Sequence, residues 1–409
     1  MGRFLIVVPP LAGHTNPTVP VGRELMRRGH EVAWAGHHEV VSDLLPPSAM
    51  FIPVADAVPP AVLEATELRA QKGTGGIGGF KTLWEDCMLP VARQMVPGVK
   101  AAVDSFAPDA LLVDQHALAG AAVAEERGLP WATSATTSAD LVDPLEGLPK
   151  VSAWLHEQMR DVLVEAGVDK ARAEALDPRL SPHLVLAFTI SDLVGTLGEV
   201  PAHYAFVGPS IGERPDDTPF PWEWLEGAQR RILVSLGTLS WKAGERFFAV
   251  AAETMAAIDA RAVFVAPADL VVDPPSNVLV MPRVPQLALL PHLDAVVCHG
   301  GHNTVCESLA HGLPLVVAAV RDDQPIIADQ VVRAGAAMRV KFTRATVPML
   351  RHAVESVLTD PRYREAAERV QASFATAGGP SAAADRLETL LGGRLVGDAH
   401  GRAAATKGP

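Results

Sequence analysis

Two doubly wound α/β domains are the architecture predicted for this chain of 409 residues, and three observations carry the prediction. Runs such as residues 4–8 and 110–113 are continuously apolar, the mark of strands buried on both faces of a parallel sheet. Amphipathic segments of helical length alternate with these runs, and repeated βα units build doubly wound sheets. Between Gly208 and Trp222 the sequence GPSIGERPDDTPFPW holds four prolines and no apolar period, so it reads as a linker, and the alternation begins again beyond it. The length agrees, because a single hydrophobic core stops growing near roughly 250–300 residues.

In the first series the opening strand, residues 4–8, turns at Pro9-Pro10 and Gly13-His14. A helix follows, with Asn16 and Pro17 as cap and first-turn residues and Gly29 at its close. His14 therefore falls in the loop at the carboxyl edge of the first strand. Further strands are expected at 32–35, 51–53, 110–113 and 131–133, with helices around 80–104 and up to Arg127. Residues 57–79 and 136–182 interrupt the rhythm with Pro, Gly and charged residues, as insertions that shape substrate pockets do. Within the first insertion GTGGIG, residues 73–78, matches the dinucleotide fingerprint as a bare pattern. It follows no strand and reads as a mobile loop.

The second series predicts a strand at 231–235, a turn at Leu236-Gly237-Thr238, a helix at 243–258 and strands at 262–265 and 278–280. Helices at 361–377 and 381–391 are separated by Gly378-Gly379-Pro380, and the tail after Gly392 carries little signal. The expected division is a domain at 1–208, a linker at 209–222, a second domain at 223–377, a helix at 378–393 and a tail at 394–409.

A net charge of −12 argues against nucleic acid and against stable association with anionic membranes, since both rest on Lys and Arg meeting phosphates. Cys87, Cys298 and Cys306 form no CxxC pair and fit reduced, buried thiols. The opening apolar run is too short for a signal-peptide core, and no stretch approaches eighteen apolar residues. A cytoplasmic protein acting on a small molecule, as monomer or homodimer, is the expectation.

The chemistry concentrates in residues 296–324, VVCHGGHNTVCESLAHGLPLVVAAVRDDQ. This reads as strand, glycine turn at Gly300-Gly301, helix, then a second strand at 315–320. Unpaired N–H groups at such a helix start, beside the positive end of its dipole, bind phosphate. Asn303 and Glu307 are four apart and share a helix face. Asp323-Gln324 arrive at the carboxyl edge of the same sheet, where open α/β folds bind ligands. His299 with His302, and His37 with His38, look like short metal pairs, but no residue at the right spacing completes either, and no metal is expected.

The combination of Val284-Pro285-Gln286, His299-Gly300-Gly301, Glu307, Gly312-x-Pro314 and Asp323-Gln324 resembles the nucleotide-sugar signature of glycosyltransferases of the macrolide and plant secondary-product type. The resemblance covers nearly the whole chain. It implies the GT-B fold: two Rossmann-like domains, an interdomain cleft and a final helix crossing back to the first domain. It also implies that His299 and Asn303 hold a diphosphate, Glu307 the ribose hydroxyls, and Asp323 and Gln324 the sugar hydroxyls. Thr238, Arg283, Val284, Gln286, Gly301, His302 and Thr304 complete the expected donor site, with Arg283 standing where relatives often carry a stacking Trp. Gly13, His37, Phe80, Trp84 and Thr137 are the expected acceptor contacts.

The implied reaction is inverting transfer of a sugar, glucose as the simplest case, to a hydroxyl of a small hydrophobic natural product. The co-substrate is a UDP-sugar, favoured over a dTDP-sugar, and no cofactor is required. His14 is the candidate base, since a neutral imidazole accepts a hydroxyl proton near pH 7. Asp114, emerging from the strand at 110–113 at the same sheet edge, is its candidate partner. Alternatives are a dTDP-deoxysugar transferase on an antibiotic aglycone, N-glycosyl transfer, a lipid-linked acceptor and a non-catalytic nucleotide-sugar sensor. The proline-rich turn after the first strand, with its single glycine, argues against a dinucleotide oxidoreductase.

Overall fold

A computed structural model describes residues 1–72, 76–142, 145–195, 200–214, 216, 218–237 and 241–392, without the side chains of 70–72 and 241–243. Thr238, the Gly73–Gly75 part of the glycine-rich run and the tail from 393 lie outside the described residues.

The described strands form two parallel sheets. The first contains β1 (Arg3–Val7), β2 (Glu31–His37), β3 (Met50–Ala55), β4 (Ala110–Asp114), β5 (Trp131–Ala135), β6 (Leu184–Ala187) and β7 (Tyr204–Phe206), in the order β3-β2-β1-β4-β5-β6-β7. The second contains β8 (Arg231–Ser235), β9 (Arg261–Val265), β10 (Val278–Met281), β11 (Ala295–Cys298), β12 (Leu315–Val317) and β13 (Ala337–Arg339), in the order β10-β9-β8-β11-β12-β13. In each sheet the order reverses beside its first strand. There the connections leave toward opposite faces and open a crevice at the carboxyl ends.

Register decides what stands at that crevice. Val7 pairs with Val113 across β1 and β4, so the turn after β1 and the end of β4 are adjacent. Ser235 pairs with Cys298 across β8 and β11, which brings the turn after β8 beside His299. The strands hold these registers because both faces are covered: Phe4, Leu5, Ile6 and Val7 are fully buried. Helices Leu89–Phe106 and Leu118–Arg127 cover one face of the first sheet. Helix Thr18–Arg27 and the final helix, Gly379–Gly392, cover the other.

That final helix returns to the first sheet after Gly378 and Gly379, both at positive φ (91° and 56°), where a Cβ would be strained. Ala383, Ala384 and Leu387 join the cluster around Phe4, Ile6 and Trp34. Arg28 pairs with Asp385 at 2.6 Å and with Glu388 at 3.2 Å.

Several expected loops are ordered elements. Residues 60–72 form helix Pro60–Lys72, and Gly76–Thr82 begins a helical run that continues through Leu83–Met88 into Leu89–Phe106. The bare glycine pattern therefore ends inside a helix. The insertion at 136–182 contains helices Pro149–Glu165 and Lys170–Ala175, the second capped by the Asp169 carboxylate on Ala171 N and Arg172 N. His14 lies in a single helical turn, Ala12–Thr15, and the expected strand at 315–320 stops at Val317.

Helix Leu89–Phe106 approaches β3 so closely that a Cβ on Gly98 would lie 2.1 Å from the Val54 carbonyl oxygen. Helix propensity alone would make Gly98→Ala stabilising by about 1 kcal/mol, but the clash is with backbone and cannot be relieved by a rotamer change. Overpacking at this site should dominate, with a net loss of about 1–3 kcal/mol in denaturant unfolding. An unchanged or raised stability would show that the helix can move off β3.

Candidate functional site

At the carboxyl edge of the first sheet, His14 Nδ1 lies 2.9 and 3.0 Å from the two carboxylate oxygens of Asp114, the last residue of β4. An ionised carboxylate only accepts, so Nδ1 carries the hydrogen and Nε2 presents a lone pair. The Asp114 side chain is fully buried, while that of His14 retains 17% exposure. Thr136 Oγ1 donates to Asp114 Oδ2 at 2.8 Å and lies 2.8 Å from His14 Nδ1. The His116 backbone N–H donates to Asp114 Oδ1 at 2.9 Å.

A second imidazole–carboxylate pair stands against this one. The His116 ring lies 4.8 Å from that of His14 between centroids, and its Nε2 is 3.3 Å from Asp140 Oδ2. Burial opposes charge on His116, but its bond to Asp140 and the fields of Asp140, Asp114 and Asp323 outweigh burial and raise its pKa. His14, Asp114 and His116 form a group with ligand atoms within 4.8 Å of one another, the spacing of a metal site. His14 Nδ1 and His116 Nε2 are both already engaged by carboxylates.

At the edge of the second sheet, the ring of His299 is enclosed by glycines: a Cβ on Gly301 would meet its Nε2 at 2.5 Å and one on Gly237 its Cε1 at 2.7 Å. Burial lowers its pKa to about 4, against the opposing Ser235 backbone bond and with help from the Arg321 charge. His299 is thus neutral at pH 7, and any anion at helix His302–Ala310 must be met by N–H donors and the helix dipole. The His302 ring points elsewhere. It is buried, its Nε2 lies 3.2 Å from the Phe188 carbonyl and 3.5 Å from Cys306 Sγ, and burial brings its pKa to about 4. What His302 offers the helix start is its backbone.

Glu307 is 4% exposed. Its Oε1 accepts from Arg214 Nη2 at 2.6 Å and its Oε2 from Gln286 Nε2 at 2.6 Å. Gln324 Oε1 accepts from the Val320 and Arg321 N–H groups at 2.9 and 3.1 Å, fixing the turn after β12. Arg283 is exposed in the loop after β10, Val284 packs on the second core, and Thr304 is half-buried on helix His302–Ala310.

The two edges meet. Asn303 Nδ2 donates to the Gly13 carbonyl at 2.7 Å, Thr137 Oγ1 to Asp323 Oδ2 at 2.7 Å, and Ser138 Oγ to Gln330 Oε1 at 2.6 Å. Arg69 pairs with Asp322 at 2.5 Å. Burial raises the Asp323 pKa despite the bond from Thr137.

Among the expected acceptor contacts, Gly13 and Thr137 stand at this junction. Trp84 is 2% exposed within the first core; its ring meets His116 edge-on at 5.8 Å and half-buried Phe80 at 6.4 Å. His37 departs from expectation. It ends β2 fully buried, its Nε2 lies 2.8 Å from Gln94 Oε1, and burial lowers its pKa, so its ring offers no exposed contact. Thr136, His116, Asp140 and Arg214 were not singled out from sequence. Arg214 lies in the proline-rich linker, and His116 two residues past Asp114 was the one signal available.

Residues 245–390 match the family model described as erythromycin biosynthesis protein CIII-like, C-terminal domain. The chain is 31% identical over 419 aligned positions to 4'-demethylrebeccamycin synthase of Lentzea aerocolonigenes, covering 95% of this chain and 99% of that protein. It is 26% identical to an uncharacterised UDP-glucosyltransferase, YojK, of Bacillus subtilis (strain 168), covering 95% and 97%. Among solved structures it resembles the glycotransferase of kitacinnamycin, with a TM-score of 0.76, 28% identity and coverage of 95% and 99%. With two Rossmann-like sheets meeting at their carboxyl edges and a near full-length relative of this similarity, the chain belongs to the GT-B glycosyltransferases of natural-product biosynthesis, enzymes that use a nucleotide-sugar donor.

Proposed function

We propose that this enzyme transfers glucose from UDP-glucose to a hydroxyl of a small hydrophobic natural product, with inversion and without a metal ion, using His14 as base. The observation that carries the reading is the His14 Nδ1–Asp114 bond, which leaves Nε2 free at the edge facing the second sheet. The acceptor oxygen attacks the anomeric carbon while the bond from that carbon to the diphosphate oxygen breaks. The hydroxyl proton passes to Nε2, and Asp114 stabilises the imidazolium that results. The diphosphate leaves toward the start of helix His302–Ala310, whose N–H groups and dipole stabilise its charge. Half-buried Phe80, whose ring lies 6.4 Å from that of Trp84, supports an apolar acceptor.

His14→Ala should lower turnover by about 10²–10⁴-fold while leaving donor binding nearly intact, because the base acts only in the transition state. Asp114→Ala should also lower it severely. The double variant should be little worse than the worse single one, since the pair acts as a unit. Steady-state rates and donor titration read both. Near wild-type turnover of His14→Ala would sink the base assignment, and additive losses would separate the roles.

Metal independence is supported by a helix N-terminus, His302–Ala310, as anion partner. Exhaustive chelation should leave the rate unchanged. Loss of activity restored by magnesium or manganese would overturn this.

For the donor, Glu307 lies one turn past Asn303 on the helix whose start would hold the diphosphate. A carboxylate accepts from both hydroxyls of a ribose, whereas deoxyribose offers only one. UDP-glucose should therefore exceed dTDP-glucose in kcat/KM. The preference should shrink in Glu307→Ala by about 1–2 kcal/mol, the value of one charge-assisted bond. A wild-type preference for dTDP-glucose, or one untouched by the substitution, would remove Glu307 from ribose recognition.

A further inference from the structure

The connector between β7 and β8 is tied to both halves of the molecule. Ser210 Oγ donates to the Pro17 carbonyl at 2.5 Å, and Arg23 Nη1 donates to the Glu213 carbonyl at 2.9 Å, fastening it to the first half beside helix Thr18–Arg27. The next residue, Arg214, reaches the other way and donates to Glu307 Oε1 at 2.6 Å. The side chains of this pair are 15% and 6% exposed, so the ion pair is largely shielded from solvent. Pro17, Ser210, Ile211, Asn303 and Glu307 line a narrow recess beside it.

A carboxylate oxygen has about two lone-pair directions. Arg214 occupies one on Oε1 and Gln286 one on Oε2. Together they stop the carboxylate from turning about its last torsion, leaving one acceptor direction on each oxygen for a ligand. Gln286 alone would hold a single oxygen and let the other swing. A charge-assisted bond from a guanidinium is also shorter and stronger than one from a neutral donor, so Arg214 holds its oxygen more firmly than an amide would.

We infer that Arg214 is a positioning residue for donor recognition, orienting the Glu307 carboxylate so that it distinguishes a ribose from a 2′-deoxyribose. The inference rests on the reading above that Glu307 accepts the ribose hydroxyls. It adds that the discriminating geometry is set from the interdomain connector.

The test is calorimetric titration of the full chain with UDP and with 2′-deoxyuridine diphosphate, ligands that differ only in the 2′-hydroxyl. Wild type, Arg214→Ala, Arg214→Gln and Glu307→Ala are compared, with thermal unfolding confirming that each is folded at the titration temperature. Wild type should favour UDP on the order of tenfold. Arg214→Ala should bring the ratio below about threefold, mainly through weaker UDP binding, close to the ratio of Glu307→Ala. Arg214→Gln, which keeps a donor but not the charge, should fall between, and it decides the matter should the alanine variant not fold. A general loss of stability would weaken both ligands alike and leave their ratio in place. Wild-type discrimination kept by the Arg214 variants but lost in Glu307→Ala would overturn the positioning role and leave the ribose reading standing. Discrimination kept in every variant, or absent from wild type, would overturn both.

Discussion

All strands of a parallel sheet point the same way, so every strand delivers its last residue to one edge, and the two sheets here turn those edges toward each other. The site depends on that constraint. β1 and β4 are neighbours in register, and this alone places the turn bearing His14 against Asp114. β8 and β11 are neighbours in register, and this alone sets Gly237 against the ring of His299. The buried apolar strands act as a ruler: slipping one by a residue would turn its Val and Leu side chains to the wrong face and move the dyad apart at the same time.

Charge is managed differently at the two edges. On the first, a buried carboxylate is satisfied three times over, by His14, by Thr136 and by the His116 N–H, so the hydrogen bonds that water would make to Asp114 are made by the protein. On the second, burial keeps His299 and His302 neutral. The start of helix His302–Ala310 adds aligned peptide dipoles, which are not lost when the cleft excludes water. Arg214 and Arg69, two cations at the junction, are each matched by a carboxylate from the second half, Glu307 and Asp322.

Placement at the sheet edges was legible in the sequence because it follows from chain direction. A strand, a glycine turn and a helix put His299, Asn303 and Glu307 on one side of the second sheet, and the apolar run before Asp114 put that carboxylate at the edge of the first. Side-chain pairing across the molecule was not legible. Arg214 sits in a proline-rich stretch with no period, and nothing local says that it reaches Glu307, 93 positions away. Thr136 and Asp140 look like ordinary turn residues until β5 sets them beside β4. His37, expected as an acceptor contact, is fully buried against Gln94 of helix Leu89–Phe106, a pairing that nothing in the local sequence shows. Helix Pro149–Glu165 was hidden by the prolines and glycines around it, and β6 and β7 by their brevity.

The bonds across the junction have a consequence for building hybrid enzymes from this chain. Asn303 to Gly13, Thr137 to Asp323, Ser138 to Gln330 and Arg69 to Asp322 each join a residue of the first half to one of the second. Grafting the first half of a relative onto this second half would join two correctly folded bodies whose facing groups were selected for other partners. A buried donor or acceptor left without its mate costs about 1–3 kcal/mol, and several such losses together would hold the halves apart. A productive exchange therefore has to carry Thr137, Ser138 and Arg69 along with the half that needs them, or move the crossover point so that each pair stays in one parent.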